Sequence, residues 1–170
     1  LAGEELARFK ALIVEKQAAN PAAEPTQYPI YPENLWDPYR TRRFECGEDL
    51  YASIGVAREN KIGRLMQMAK NYEFFGAPTE LFIFAHKSLG VFSANDAGLF
   101  VQNLMLSAHA RGLGTCAQGA LSTWDNVVRK EFEVPEGYRF LYGIAIGYPS
   151  DAPINDFGAH RLDIEEIVLR

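Results

Sequence analysis

The chain has 170 residues, enough for one domain built round a single sizeable core. Its formal net charge of -5 lacks the basic excess that nucleic acid or an anionic membrane surface would call for, and no apolar run approaches the roughly 20 residues of a membrane-spanning helix. The two cysteines, Cys46 and Cys116, are too few and too far apart for a disulfide framework and fit a reducing cytoplasm, so the expectation is an ordinary cytoplasmic globular protein.

Residues 3–18 read as an amphipathic helix, with Leu6, Phe9 and Ile13 on one side at spacings of three and four. Residues 19–46 carry Pro21, Pro25, Pro29, Pro32 and Pro38 and read as irregular chain, because proline supplies no donor and its ring blocks helix. The same stretch holds Tyr28, Tyr31, Trp36, Tyr39 and Phe44, more aromatic surface than a flexible linker carries. It is either a lid over a binding site or a loop packed on the surface. A short helix is expected over 47–56 and a longer one from Glu59 to Phe74, stopped by Gly76, Ala77 and Pro78. Residues 81–85 (LFIFA) form a short buried strand. Asn95 to Arg111 is the strongest helix; it is apolar on most sides, which predicts burial, and Gly112 terminates it. A further helix is expected over Thr123–Phe132 with Ser122 as its N-cap, and a second core strand over Phe140–Gly147. Helices outnumber strands and separate them unequally, which makes the class α+β.

Familiar catalytic constellations are absent from the sequence. His86, His109 and His160 lack metal-ligand spacing, no Gly-x-Ser-x-Gly elbow occurs, and no Gly-x-Gly-x-x-Gly follows a strand. That pattern suits an enzyme whose chemistry sits in a bound cofactor. The informative segment is Arg111-Gly-Leu-Gly-Thr-Cys-Ala-Gln-Gly119, where a helix ends and glycines let backbone come close to a ligand. Its plain alternative is a helix cap and a turn. Gly143-Ile-Ala-Ile-Gly-Tyr-Pro149 reads as a core strand ending in a turn, and Arg161 matters because a guanidinium forks phosphate well.

In this order, Gly76-Ala-Pro with the LFIFA strand, Asp96-Ala-Gly-Leu, Gly112-Leu-Gly-Thr, Val127-Val-Arg-Lys with Val134-Pro-Glu, Gly143-Ile-Ala-Ile-Gly-Tyr-Pro and His160-Arg161 resemble the FMN-dependent nitroreductase family. The resemblance is good over residues 76–170 and loose before them. It implies one nitroreductase-like domain over 1–170 with a central, mostly antiparallel sheet wrapped by helices. It implies an intertwined homodimer with the long apolar helix at its interface. It implies FMN as cofactor and NAD(P)H as electron donor, with hydride passed in ping-pong fashion to a nitroaromatic or quinone-like acceptor. By position, Cys116, Ala117, Gln118 and Gly119 would run along the flavin ring, the amides of Gln118 and Gly119 meeting N5 and O4. Arg161 would bind the phosphate, and Phe92, Tyr39 and Phe44 would line the substrate space. No catalytic side chain and no metal is expected.

The family opens with an Arg-rich segment, and a later Ser/Asn-rich turn followed by Gln-Pro-Trp also touches its flavin. Neither occurs here, since Arg42-Arg43-Phe44 has a different context. The chain starts without Met in sequence that already reads as helix, so it is expected to be entered partway, its N-terminal flavin-binding segment absent. Two other readings follow: a flavin-free member of the fold, or a flavin enzyme of another specificity, in reductive dehalogenation or flavin breakdown.

Overall fold

In the computed structural model, which describes residues 1–168, the elements are α1 (Gly3–Ala19), α2 (Tyr39–Ser53), α3 (Lys61–Ala69), β1 (Thr79–His86), α4 (Gly90–His109), β2 (Gly114–Gln118), α5 (Asp125–Glu131), β3 (Tyr138–Gly147) and α6 (Ile164–Ile167). Turns of 3₁₀ helix occupy Lys70–Gly76, Gly119–Trp124 and Pro153–Asp156. The three strands form one antiparallel sheet in the order β1-β3-β2, so the α+β expectation holds. The chain divides into two units. One, Leu1–Tyr31 with Met68–Pro149, holds the sheet, α1, α4 and α5; the other, Pro32–Gln67 with the chain from Ser150 on, holds α2, most of α3 and α6.

The core of the first unit is aromatic. Leu6, Phe9 and Ile13 are the buried stripe of α1, as their spacing predicts. Phe9 meets Phe82 edge-on at 5.3 Å, Phe132 at 5.0 Å and Phe74 in parallel at 6.3 Å, and Phe140 closes the group against Phe82 and Phe84. That density explains an irregular stretch. The helix expected to reach Phe74 ends at Ala69, and Phe74 and Phe75 take left-handed backbone (φ 52° and 51°) before Gly76. Such backbone costs a non-glycine residue on the order of 1–3 kcal/mol. Burying the Phe74 ring fully against Phe9 offsets it.

Helix α4 starts earlier than expected, at Gly90, and ends as Gly112 predicts. Gly112, at φ 75°, donates to the His109 carbonyl while Leu113 donates to the Ala108 carbonyl, which is the Schellman closure of a helix. Its expected burial is not met in this chain alone. Only Val101 and Ala108 are buried, whereas Leu99, Phe100 and Leu106 are each more than half exposed. Ser122 is also not an N-cap: its Oγ donates to the Gly119 carbonyl within the 3₁₀ turn, and α5 begins at Asp125. Asp125 instead accepts from Arg129 Nε and from Gln27 Nε2, fastening the chain before Tyr31 to the core.

In the second unit the irregular stretch expected over 19–46 ends at Pro38. Beyond that proline the sequence Tyr39-Arg-Thr-Arg-Arg-Phe-Glu contains no breaker, so it winds into α2, which packs against the Pro153–Asp156 turn. Arg64 forks Glu48 at 2.7 and 2.9 Å and lies 4.4 Å over the Tyr51 ring. The guanidinium beside Glu48 holds its carboxyl below the usual range.

Candidate functional site

The chain leaves α4 through Gly112 and enters β2, whose residues pair with β3 from Gly114↔Gly147 to Gln118↔Gly143. The order β1-β3-β2 makes β2 an edge strand, so one margin carries backbone groups that the ladder does not use. Its side chains are short at the middle: Cys116 and Ala117 are exposed, and only then does Gln118 turn fully inward. Gln118 is held there by Nε2, which donates to the Asn71 carbonyl at 2.7 Å. Gly119 follows in non-left-handed backbone, and a Cβ placed on it would meet only Ile30 Cγ2, at 3.7 Å. Nothing in the fold therefore demands glycine at 119. Cys116 and Ala117 thus form a short exposed edge, low in side-chain bulk, that runs directly into the buried Gln118 and the half-buried Gly119. Although Cys116 keeps exposed surface, packing around its sulfur desolvates the thiol and pushes it up, and the nearby Glu80 adds to that.

The other expected site residues stand as follows. Phe92 is four-fifths exposed on the first turn of α4 and lines an open cavity of about 330 Å³ with Leu89, Gly90, Ser93 and Asp96. Tyr39 and Phe44 lie on α2 rather than in irregular chain. Five residues apart, they point about 140° from each other round the helix. Tyr39 contacts Trp36 edge-on, and Arg58 covers the Phe44 ring at 4.6 Å. Arg161 is exposed, and its guanidinium donates to the neighbouring carbonyls of Ala159 and His160. No acidic group among the described residues pairs with it, so its charge is available to an anion. Gly143 and Gly147 confirm the plain reading of their segment: added Cβ atoms would strike Glu80 Oε1 and Leu121 Cδ1, and Pro78 Cδ. Among the described residues no cluster of His, Cys, Asp or Glu could hold a metal, and no helix is long and apolar enough to cross a membrane.

The sequence matches the model of the Nitroreductase family over residues 3–148. The chain belongs to that family. It is 30% identical to the nitrobenzene nitroreductase of Ectopseudomonas oleovorans over 98% of this chain and 74% of that protein. It is 31% identical to the chloronitrobenzene nitroreductase of Comamonas testosteroni over the same shares. Among solved structures it superposes on the FMN and NADPH-dependent nitroreductase NfnB from sphigopyxis sp. strain HMH with a TM-score of 0.94, at 32% identity, covering 100% of this chain and 77% of that one. The FMN-dependent NfnB from Mycobacterium smegmatis, solved in complex with NADPH, gives 0.89 at 30% identity, covering 100% and 76%.

Two features of this nitroreductase-family chain were not visible in its sequence. The Asn71 carbonyl that anchors Gln118 comes from the turn that was expected to be helix. Glu80, fully buried in β1, lay one residue outside the expected strand. A β-branched threonine at 79, two residues before the apolar run, was the available signal for an earlier strand start.

Proposed function

We propose that this chain is an FMN-dependent NAD(P)H oxidoreductase that reduces nitroaromatic or quinone-like acceptors, and that it acts as a homodimer in the cytoplasm. The observation that carries the reading is the exposed, low-bulk edge at Cys116 and Ala117 that leads into Gln118 and Gly119, in a chain whose likeness to FMN-dependent nitroreductases spans its whole described length. Bound FMN would supply the redox chemistry, hydride acceptance from NAD(P)H and its delivery to the acceptor in two half-reactions.

The chain's own residues would bind and orient. The amides of Gln118 and Gly119 would donate to N5 and O4, where preorganised donors stabilise negative charge that develops on reduction. Cys116 and Ala117 add little bulk beside the ring, and burial of the Gln118 side chain turns its backbone into a fixed support. Among the described residues Arg161 donates only Nη1, to neighbouring carbonyls, which leaves its charge for a phosphate. Phe92 on α4 and, separately, Tyr39 on α2 each expose aromatic surface on which a flat acceptor can stack, whereas the Phe44 ring is already covered by Arg58.

Self-association is supported by α4. Leu99, Phe100 and Leu106 expose apolar surface that water disfavours, on the helix that the family resemblance assigns to the dimer interface. Cytoplasmic residence is supported by the two free cysteines. The test is direct. Purified chain titrated with FMN should quench flavin fluorescence and should oxidise NADPH when nitrobenzene is added. A chain that takes up no FMN, or holds it without NAD(P)H oxidation, overturns the reading.

A further inference from the structure

Glu80 has no part in that chemistry, yet it is an expensive group to place in a strand. It is fully buried, and neither carboxyl oxygen accepts a hydrogen bond; the Ile144 amide lies near without completing one. An ionised carboxylate left so would cost several kcal/mol. Burial pushes this acid up to about 8, so near neutral pH it is a neutral acid, and a neutral acid carries a proton to donate.

The matching acceptor is close by. Gln118 Nε2 donates to the Asn71 carbonyl, which can only accept, so this contact sets which way the amide faces. Gln118 Oε1 is then left buried without a donor. Glu80 pairs across the sheet with Ala145, and Gln118 with Gly143, two residues along the same strand, so both side chains rise from one face. A Cβ on Gly143 would collide with Glu80 Oε1 and with Leu121 Cδ1, which means the carboxyl and the Leu121 side chain share the room that a side chain at 143 would take. Cβ atoms of directly opposed residues stand about 5 Å apart, so that room adjoins the Gln118 side chain.

We propose that Glu80 is a positioning residue: as a neutral acid it donates across Gly143 to Gln118 Oε1 and so fixes, from behind, the Gln118–Gly119 backbone on which the cofactor is to rest. The proposal rests on the flavin reading above. Gly143 keeps the path open, Asn71 sets the amide, and Glu80 supplies the proton that Gln118 lacks. The titratable groups facing Glu80 are Cys116, in the same row on β2, and the chain's first amino group, which donates to the Glu80 carbonyl. On β3 the facing positions, Gly143 and Ala145, do not titrate.

Three measurements on wild type, Glu80→Gln and Glu80→Leu test it. In the flavin-free chain the infrared carbonyl stretch of a protonated carboxylic acid should be present in wild type and missing in Glu80→Gln. Hydrogen exchange of residues 114–119 should match between wild type and Glu80→Gln, which still donates, and quicken about tenfold in Glu80→Leu. FMN affinity should follow the same order, within about threefold for Gln and about tenfold weaker for Leu. It should also decline in wild type as pH rises through about 8, but not in Glu80→Gln, whose unchanged Cys116 makes it the control for the thiol. Absence of the acid band, equal exchange in Glu80→Leu and wild type, or a pH decline that survives in Glu80→Gln overturns the proposal while leaving the flavin reading intact. Should Glu80→Leu fail to fold, the pH profile of Glu80→Gln decides. A wild-type chain that binds no FMN overturns the flavin reading, and the positioning role with it.

Discussion

Replacing Glu80 by glutamine should flatten the pH dependence of stability over the acid-to-neutral range. The Glu80 acid is pushed up to about 8 by burial, against 4.5 for the group in open chain. The fold therefore favours the protonated form. The stability this group contributes is complete below about pH 4.5 and is lost as pH rises towards 8, because the unfolded chain releases a proton that the folded chain retains. The slope is at most about 1.4 kcal/mol per pH unit and falls off near each end of the range, so between pH 5 and pH 8 the loss is about 3.5 kcal/mol. That is a large share of the roughly 5–15 kcal/mol by which a domain is stable. Glutamine has the same shape and does not titrate, so Glu80→Gln should keep what wild type loses. Urea unfolding followed by the fluorescence of Trp124, which is buried at 1% exposure, reads the difference directly. Cys116, Tyr28 and Tyr142 are all raised by burial from values near 9 or 10, so their titrations lie above the window. Parallel curves for wild type and Glu80→Gln from pH 5 to pH 8 would refute the assignment of a neutral acid at position 80.

Gly119→Ala should fold with stability within about 0.5 kcal/mol of wild type, since its Cβ meets only Ile30 at ordinary contact distance, yet bind FMN at least about tenfold more weakly; unchanged affinity on fluorescence titration would remove Gly119 from the ring contact. Arg161→Gln should weaken FMN about tenfold or more and leave riboflavin binding unaltered, because only the phosphate needs the guanidinium; an equal loss for both ligands would count against that role. Phe100→Asp should convert a dimer to monomer in light-scattering chromatography, as a carboxylate on a half-exposed apolar face opposes its burial by a second copy; an unaffected mass would place the interface elsewhere. Asp125→Ala should cost about 3 kcal/mol in urea unfolding, because it strands the largely buried Arg129 and removes the acceptor of Gln27.

How legible the molecule was in sequence depended on range. Local signals served well. The stripe Leu6-Phe9-Ile13 set the buried face of α1, and Gly112 closed α4 through a hydrogen-bond pattern that needs only a left-handed residue at that point. Signals that tertiary packing overrides did not. Phe74 belongs to a helical pattern, and its left-handed backbone makes sense only once the Phe9 ring is known to lie parallel to it. Pro38 and the aromatics beside it argued for a loop reaching residue 46, but a proline constrains only itself and its predecessor, so α2 starts at once after it. The apolar girth of α4 argued for burial, and in one chain it is not buried; hydrophobicity says that a surface is to be covered, not by what.

The strip at 116–119 shows the same division. Two glycines after a helix singled the segment out in sequence, and the structure places it on the edge strand β2. The groups packed behind it lie elsewhere in the chain and had no local mark. The antiparallel pairing of β3 with both β1 and β2 is what leaves β2 at the edge and brings Glu80 opposite Ala145, one pleat from Gln118. Gly143, which in sequence is only part of a core strand, is the residue on which this arrangement turns. Any side chain there would collide with the Glu80 carboxyl and with Leu121. A core glycine thus does its work by leaving room for a buried acid and for the Leu121 side chain.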